Sequence, residues 1–491
     1  MRTALTIAAL AAALAAVSAL AQDRPPSAPP SGGAGREPPP QAYADCVGKQ
    51  AGATVQHTTP DGKVTATCIE SPKGLVARPS RPRESAPTSQ ESKPPAAPSP
   101  RGEAGGNPDR KYSLEQATSD RAQLTTIAFD GLAFLTGDFG YDTFLPPGKV
   151  SDYFGFQYLR DVDVREGGHN TSFLTRIADN VLTILDDRQK AQLLALAKEQ
   201  EGDIRRFAQL RLPLIKAFRL NLEGKIPPGS AGLDRQAVMQ YSADLYVLDG
   251  QLSYRRAQVM AGVIRSLNEP QKSAWARLKF GDSGTWPEVA PALDRRSMSH
   301  ESSVAVMTYA SEMFSWQAGS VEADTYFCPE RHGMYFGGFG MKTAPAMGKR
   351  DYAISTTLTG NSGESFLGAL TEAQRQQITA LVDLQRQDLG EITRIRRSIA
   401  TELRRFLKGE TADRDKVLTL SRRYGQLDGN LSYLYATAFA KVGQTLSAQQ
   451  RQKLAGMRSS NPTDPKGPFL YSSPISMPKI GSTDGLFGVR A

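Results

Sequence analysis

The sequence predicts a mainly α-helical protein made of two tandem copies of a helical-hairpin unit, together with a small N-terminal β module. The segment LDGQLSY at 248–254 recurs as LDGNLSY at 427–433, which predicts the two copies. Around both segments, apolar residues are three and four positions apart, the spacing of an amphipathic helix. Two cysteines that flank alternating Val- and Thr-rich text predict the β module.

The N-terminal sequence predicts export. Residues 1–21 contain one early arginine, an apolar run and the triplet Ala19-Leu20-Ala21, so we expect a secretory signal peptide that is cleaved after Ala21. Residues 22–42 and 80–111 are rich in Pro, Ser and Gly, and we expect them to be linkers. Because no later stretch of about 18 uninterrupted apolar residues exists, we expect a periplasmic or secreted protein that does not span a membrane.

The β module is expected at residues 43–79, between the two linkers. Its Val- and Thr-rich text alternates on both sides of the turn sequence PDGK, which predicts a β-hairpin. Cys46 and Cys68 bracket this text, and we expect them to form a disulfide in an oxidising compartment. Cys328 is the third cysteine, and its role stays open.

From residue 112 onward the sequence consists of two aligned repeats. The text that begins at Asp142 matches the text that begins at Asp324 without a gap, and both start with Asp-Thr. We place the repeats at 112–300 and 301–461, followed by a tail at 462–491.

Each repeat contains two long amphipathic helices that are joined by a short connection near a glycine. The connections are expected near 224–229 in the first repeat and near 409–411 in the second. This arrangement predicts an antiparallel helical hairpin in each repeat. Pro213 interrupts the first helix and predicts a kink in the first repeat only, because Ser398 occupies the aligned position in the second.

Four predicted helix starts share the pattern leucine, cap residue, two variable residues and glutamine. The cap residue is Asp, Asn, Thr or Ser, whose side chain accepts a hydrogen bond from a free N–H group of the first helical turn. The glutamine three positions later bonds back to the cap residue's backbone, which completes a capping box. The four sets are Leu185, Asp186 and Gln189; Leu267, Asn268 and Gln271; Leu370, Thr371 and Gln374; and Leu446, Ser447 and Gln450.

This pattern resembles the Leu-Thr-x-x-Gln motif of the Spy/CpxP family of periplasmic stress proteins, which includes ATP-independent chaperones and zinc-responsive relatives. The resemblance covers residues 180–285 and 365–460, and the text Leu370-Thr371-Glu372-Ala373-Gln374 matches the motif literally. The resemblance implies two tandem Spy/CpxP-like hairpins that pack against each other as an internal pseudo-dimer. The chain is then expected to be a monomer or part of a higher oligomer. The resemblance also implies a chaperone or stress-response function without ATP.

The charge of the chain favours acidic partners. Its formal net charge is +9 at pH 7, with the basic residues spread through the helical text. Such a surface attracts acidic chains, so we expect unfolded or acidic envelope proteins as partners. Nucleic acid is not an expected partner for an exported protein.

One cluster predicts a metal site. Asp161, Asp163, Glu166 and His169 lie close together in the first repeat, and the second repeat has no such set. Carboxylate and imidazole groups are ligands for divalent cations such as Zn²⁺ or Ca²⁺. The alternative interpretation is a solvated loop before a helix. A metal-binding or metal-sensing protein is therefore the second functional hypothesis.

The sequence contains no recognisable catalytic motif. It lacks Gly-x-Ser-x-Gly, a P-loop and His-Glu-x-x-His, and it has four histidines in total. We therefore expect a binding protein without catalytic residues or a required cofactor. The third hypothesis is an enzyme that acts on an envelope or extracellular polymer through carboxylates that no motif identifies.

Overall fold

The structure, a computed structural model, describes residues 40–59, 62–71, 74–79, 118–137, 172–279, 285–326, 362–457, 469–470, 473–474 and 479–489. The chain divides into two compact units, Met1–Ser99 and Pro100–Ala491. The first unit contains a small antiparallel sheet, and the second is mainly helical. The expected signal peptide and the linker at 80–111 lie outside the described residues.

The first unit begins with the short helix α1 (Pro40–Ala44), which starts inside the expected linker at 22–42. Three antiparallel strands follow in the order β1, β2, β3. Their bounds are Thr54–Thr59, Gly62–Ser71 and Gly74–Pro79. The predicted hairpin is confirmed as β1 and β2, whereas the pairing of β3 with β2 was not predicted.

The disulfide between Cys46 and Cys68 is confirmed. Cys46 lies just after α1 and Cys68 lies in β2, so the bond ties the helical turn to the central strand. Both cysteines are buried, and they pack with Ala66 and Val76 of the sheet. Because this module has so few apolar residues, the disulfide compensates for a small hydrophobic core.

The second unit contains twelve α-helices within the described residues. They are α2 (Asp120–Thr136), α3 (Ser172–Ile184), α4 (Asp187–Leu210), α5 (Leu212–Leu222), α6 (Arg235–Arg265), α7 (Glu269–Ala276), α8 (His300–Ala318), α9 (Val321–Tyr326), α10 (Ser362–Ala369), α11 (Glu372–Leu403), α12 (Arg414–Thr445) and α13 (Ala448–Gly456). Four short strands accompany them: β4 (Ser230–Leu233), β5 (Phe469–Leu470), β6 (Ser473–Pro474) and β7 (Phe487–Val489).

The helices form two hairpins. In the first, α4 packs against α6, whereas α5 packs against α12; in the second, α11 packs against α12. The interruption predicted at Pro213 is confirmed, and it goes further than the expected kink: α4 ends at Leu210, and a separate helix, α5, begins with Pro213 in its first turn. Proline cannot donate the backbone hydrogen bond that a continuous helix requires. Without a proline, α11 continues from Glu372 to Leu403.

Two helices pack on the half of the chain to which they do not belong in sequence. Helix α2 contacts α10, α11 and α12, whereas α8 contacts α3, α4 and α6. The described helices of both predicted repeats therefore share one compact unit. Two buried apolar clusters run through this unit, and each contains residues from both halves.

The long helices α6 and α12 make the most extensive helix–helix contact in the described part of the unit. They approach closely because Gly250 of α6 faces Ser421 of α12, and Gly429 of α12 faces Ser242 of α6. A Cβ atom on Gly250 would lie 2.4 Å from the Oγ of Ser421, and one on Gly429 would lie 2.8 Å from the Cβ of Ser242. These are the glycines of LDGQLSY and LDGNLSY, so the repeated segment marks this contact.

We expect Gly250→Ala to destabilise the helical unit by about 1–3 kcal/mol, because the new methyl group overpacks the α6–α12 contact. Gly262→Ala is the matched control on the same helix, since nothing lies within 4 Å of the added Cβ atom. Alanine is the better helix former, so this control is expected to stabilise by about 0.5–1 kcal/mol. Chemical denaturation followed by circular dichroism measures both. Equal effects of the two substitutions would contradict close packing at Gly250.

Candidate functional site

A buried polar cluster lies beside the contact between α6 and α12. Asp249 and Asp428, which precede the two glycines of the repeated segments, are 5% and 0% exposed. Tyr246 is buried with them, and its ring meets the ring of Tyr424 edge-on at a centroid distance of 4.7 Å. Burial and the nearby carboxylate of Asp428 raise the pKa of Tyr246 well above its usual value. Its phenol therefore stays protonated at neutral pH.

The cluster continues through the second half towards α2. The hydroxyl of Tyr435 donates to the Oε1 of Gln385, whose Nε2 donates to the Oε1 of Gln123 at 2.8 Å. Burial, Asp130 and Asp428 together raise the pKa of Tyr435 well above its usual value. This chain of hydrogen bonds ties α2 to α11 and α12 and keeps buried polar groups paired.

A buried ion pair joins α8 to α6 of the first half. Arg256 and Glu312 approach to 3.2 Å, and their side chains are 1% and 0% exposed. The guanidinium group also lies over the ring of Tyr309, 4.8 Å from its centroid. The hydroxyl of Tyr309 donates to Gln200 at 2.8 Å, and Gln200 donates to the carbonyl oxygen of Leu252 at 3.0 Å. The pair thus fixes α8 on the first hairpin.

Two arginines of the second half hold the end of α9. Arg404 forms an ion pair with Asp324 and donates to the carbonyl oxygen of Trp316 at 2.7 Å. Arg396 donates to the carbonyl oxygen of Thr325 at 2.7 Å. Burial raises the pKa of Asp324, although Arg404 opposes this shift. The Asp-Thr pair that both repeats share therefore anchors a helix end in the second half.

The four predicted helix-cap sets all lie at helix starts. Asp186, Asn268, Thr371 and Ser447 each accept a hydrogen bond from the glutamine three positions later, and each glutamine bonds back to its cap residue. The glutamines also meet in pairs. The Nε2 of Gln271 donates to the Oε1 of Gln189 at 2.7 Å, and the Nε2 of Gln450 donates to the Oε1 of Gln374 at 2.8 Å.

These glutamine pairs explain why the pattern occurs twice in each half. The pair of Gln189 and Gln271 joins the starts of α4 and α7, and the pair of Gln374 and Gln450 joins the starts of α11 and α13. The four leucines that precede the cap residues are buried at the same places: Leu185, Leu267, Leu370 and Leu446. The pattern therefore has a structural role in closing one end of each hairpin.

An apolar pocket of about 390 Å³ lies where α6, α7 and α8 meet. Trp275, Leu278 and Phe314 contribute to its wall, and Lys272 and Gln317 are its polar lining residues. Trp275 is held in place because its Nε1 donates to Gln317 at 3.2 Å and its ring contacts Phe314. Pockets of this size and polarity accept apolar groups. The lining contains no carboxylate or histidine, so its chemistry suits binding.

The residues predicted to bind a metal lie outside the described residues. This applies to Asp161, Asp163, Glu166 and His169, and also to Cys328. Within the described part of the chain, no group of three or more His, Cys, Asp or Glu residues is arranged to hold a metal ion. Over the same residues, no helix combines the length and hydropathy that crossing a membrane requires. The metal site remains a prediction.

Sequence analysis missed the buried polar residues and the pocket. Asp249 and Asp428 carried a signal, because an acidic residue recurs inside an otherwise apolar repeated segment. Arg256 and Glu312 carried none, since they are far apart in sequence and one of them lies in each predicted repeat. Trp275 carried no signal either, because its neighbour Phe314 comes from another helix.

We expect Glu312→Gln to destabilise the protein by about 3–5 kcal/mol, because it removes the carboxylate that pairs with the buried Arg256. Glu199→Gln is the matched control, since Glu199 pairs at 2.8 Å with the adjacent Arg255, and both of those side chains are about half exposed. Exposed pairs contribute less than about 1 kcal/mol. Denaturation midpoints of the two variants measure the difference. A similar small effect of both would show that the buried pair does not hold α8.

Comparison with known proteins finds no matching family model, no similar curated protein and no similar solved structure. The resemblance to the Spy/CpxP family therefore rests on the four helix-cap sequences and on the expected signal peptide. A functional conclusion has to come from the pocket, the charge and the fold.

Proposed function

We propose that this chain is an exported binding protein of the Spy/CpxP type that holds apolar segments of unfolded or envelope proteins without ATP. The observation that carries this proposal is the apolar pocket beside Trp275, Leu278 and Phe314. A pocket with an apolar wall and few polar groups binds apolar side chains by removing their surface from water.

The positive charge at the rim of the pocket suits the acidic clients that the sequence predicts. Lys272 lines the pocket and forms an ion pair with Glu269 at 2.8 Å in which both side chains are exposed. Exposed pairs are weak, so Lys272 can exchange Glu269 for an acidic residue that lies next to an apolar one in a client segment. The net charge of +9 draws acidic chains to the protein in the same way. Electrostatic attraction speeds the encounter, and the apolar pocket then retains the segment.

The proposal includes a duplicated hairpin unit, which several matching contacts support. Gln200 and Gln385, at aligned positions, each accept a hydrogen bond from a buried tyrosine. Arg219 and Arg404, also aligned, each donate to a backbone carbonyl near the end of α2 or α8. The glycines of the two repeated segments face serines of the other half. Shared ancestry of the halves explains these pairs.

The two halves differ at the pocket. The position that aligns with Trp275 in the second half is Leu454, which is buried against the second apolar cluster. Binding is therefore assigned to the place where α6, α7 and α8 meet, and the place around Leu454 of α13 provides an internal comparison. The metal-binding and enzymatic hypotheses stay sequence predictions, and no described residue favours either of them.

The proposal predicts that the protein delays aggregation of a chemically unfolded client in the absence of ATP. We expect Ala276→Glu to shorten this delay, because it places a charged group in the lining of the pocket. Ala455→Glu is the matched control: both alanines are exposed, and each lies at the same distance from the cap residue of its short helix. Light scattering of at least two unrelated clients measures the delay.

The control variant is expected to behave like the unmodified protein. Circular dichroism verifies that both variants retain their helical content. The proposal is contradicted if the unmodified protein delays the aggregation of no client. Equal delays with Ala276→Glu and Ala455→Glu would move the binding surface away from the pocket.

A further inference from the structure

Strand β4 lies in the connection between α5 and α6 of the first half. The matching connection of the second half, Gly409–Asp413, contains no strand and joins its two helical segments directly. The first half therefore has an additional extended segment whose backbone is able to pair with another chain segment.

That backbone is paired with the segment at residues 479–489. Its strand β7 runs antiparallel to β4, with Ser230 opposite Val489 and Leu233 opposite Phe487. The hydroxyl of Ser230 donates to the carbonyl oxygen of Gly488 at 3.0 Å. The backbone N–H of Asp234 donates to the carbonyl oxygen of Leu486 at 2.8 Å. The segment is thus held by strand addition.

Two adjacent side chains anchor the segment. Leu486 and Phe487 are 6% and 7% exposed and join the buried cluster that contains Leu233 and Val238. Val489, two positions after Phe487, is 88% exposed and adds no burial. Backbone pairing over three residues and two buried side chains therefore make up the described β4–β7 contact.

These contacts do not depend on most of the segment's own side chains. Strand addition uses backbone groups that every extended peptide has, and specificity comes only from the sites that receive alternate or adjacent side chains. A different extended segment with two neighbouring large apolar residues satisfies the same requirements. Segments of this kind are exposed in unfolded proteins and buried in folded ones.

We propose that β4 and the cluster beneath it form a peptide-binding site, which residues 479–489 occupy within the chain and extended client segments with a Leu-Phe-type pair occupy when that segment detaches. This inference rests on the proposed function, since it assigns a second contact for the same clients. The segment at 479–489 then acts as an intramolecular competitor that keeps the site covered in the absence of clients.

The test uses a fluorescent peptide with the sequence KIGSTDGLFGV, which corresponds to residues 479–489. Fluorescence anisotropy measures its binding to the full-length protein and to Phe487→Ala. We expect the variant to bind the peptide at least about tenfold more tightly, because a weaker intramolecular competitor leaves more sites open. Val489→Ala, an exposed substitution on the same strand, is the control and should bind like the unmodified protein.

A peptide in which Leu and Phe are replaced by Ser should not bind to any of the three proteins. Equal affinities of Phe487→Ala and Val489→Ala for the original peptide overturn the inference. So does equal binding of the Ser-substituted peptide, because the site would then not recognise the apolar pair.

Hydrogen exchange of the unmodified protein provides a test that does not require a variant to fold. The amide of Asp234 is bonded to Leu486, whereas the amide of Val238 is bonded to Asp234 within the first turn of α6. We expect the Asp234 amide to exchange faster, through local release of the segment. Exchange of both amides only at the rate of global unfolding would overturn the inference.

The aggregation assay separates this inference from the proposed function. If the protein delays client aggregation but no variant binds the peptide, the peptide site is wrong and the proposed function stands. If the peptide binds as expected but no client is protected, the proposed function is wrong, and the inferred role of β4 in holding clients is overturned with it.

Discussion

The close approach of α6 and α12 is the constraint on which the helical unit depends. Two glycine–serine contacts, Gly250 with Ser421 and Gly429 with Ser242, allow these two long hairpin arms to pack with little side-chain volume between them. Each arm belongs to a different half of the chain, so this contact joins the two hairpins. It also determines which neighbouring side chains become buried, because Asp249 and Asp428 each precede one of these glycines.

The buried polar groups follow from that packing. Their partners come from several helices. Gln385 of α11 accepts a hydrogen bond from Tyr435 of α12 and donates one to Gln123 of α2. Tyr309 of α8 donates to Gln200 of α4, and Glu312 of α8 pairs with Arg256 of α6. Unpaired polar groups in a protein interior are costly, so such a network favours one arrangement of the helices over its alternatives. The network lies in the interior, whereas the apolar pocket and β4 lie at the periphery of the first half. The structural role and the proposed binding role are thus assigned to different residues.

Local features of this fold were predictable from sequence, and long-range ones were not. The hairpin of the β module, its disulfide and the interruption at Pro213 follow from turn residues, cysteine spacing and proline geometry. The packing of α2 and α8 on the opposite halves depends on contacts such as those of Gln123 with Gln385 and of Arg256 with Glu312, which are 262 and 56 positions apart and for which a single sequence has no pattern. Likewise, β4 and β7 are too short to show alternation, and the pocket beside Trp275 is assembled from three helices.

The most direct test of the central contact moves the glycine from α6 to α12, by combining Gly250→Ala with Ser421→Gly. The free energy of unfolding is measured for Gly250→Ala, for Ser421→Gly and for the double variant. If the helices pack closely at this pair, Ser421→Gly makes room for the methyl group, and the double variant is more stable than the sum of the single effects by about 0.5–3 kcal/mol. Additive effects would show that Gly250 and Ser421 do not share one tight contact, and would contradict the account of how the two halves are joined.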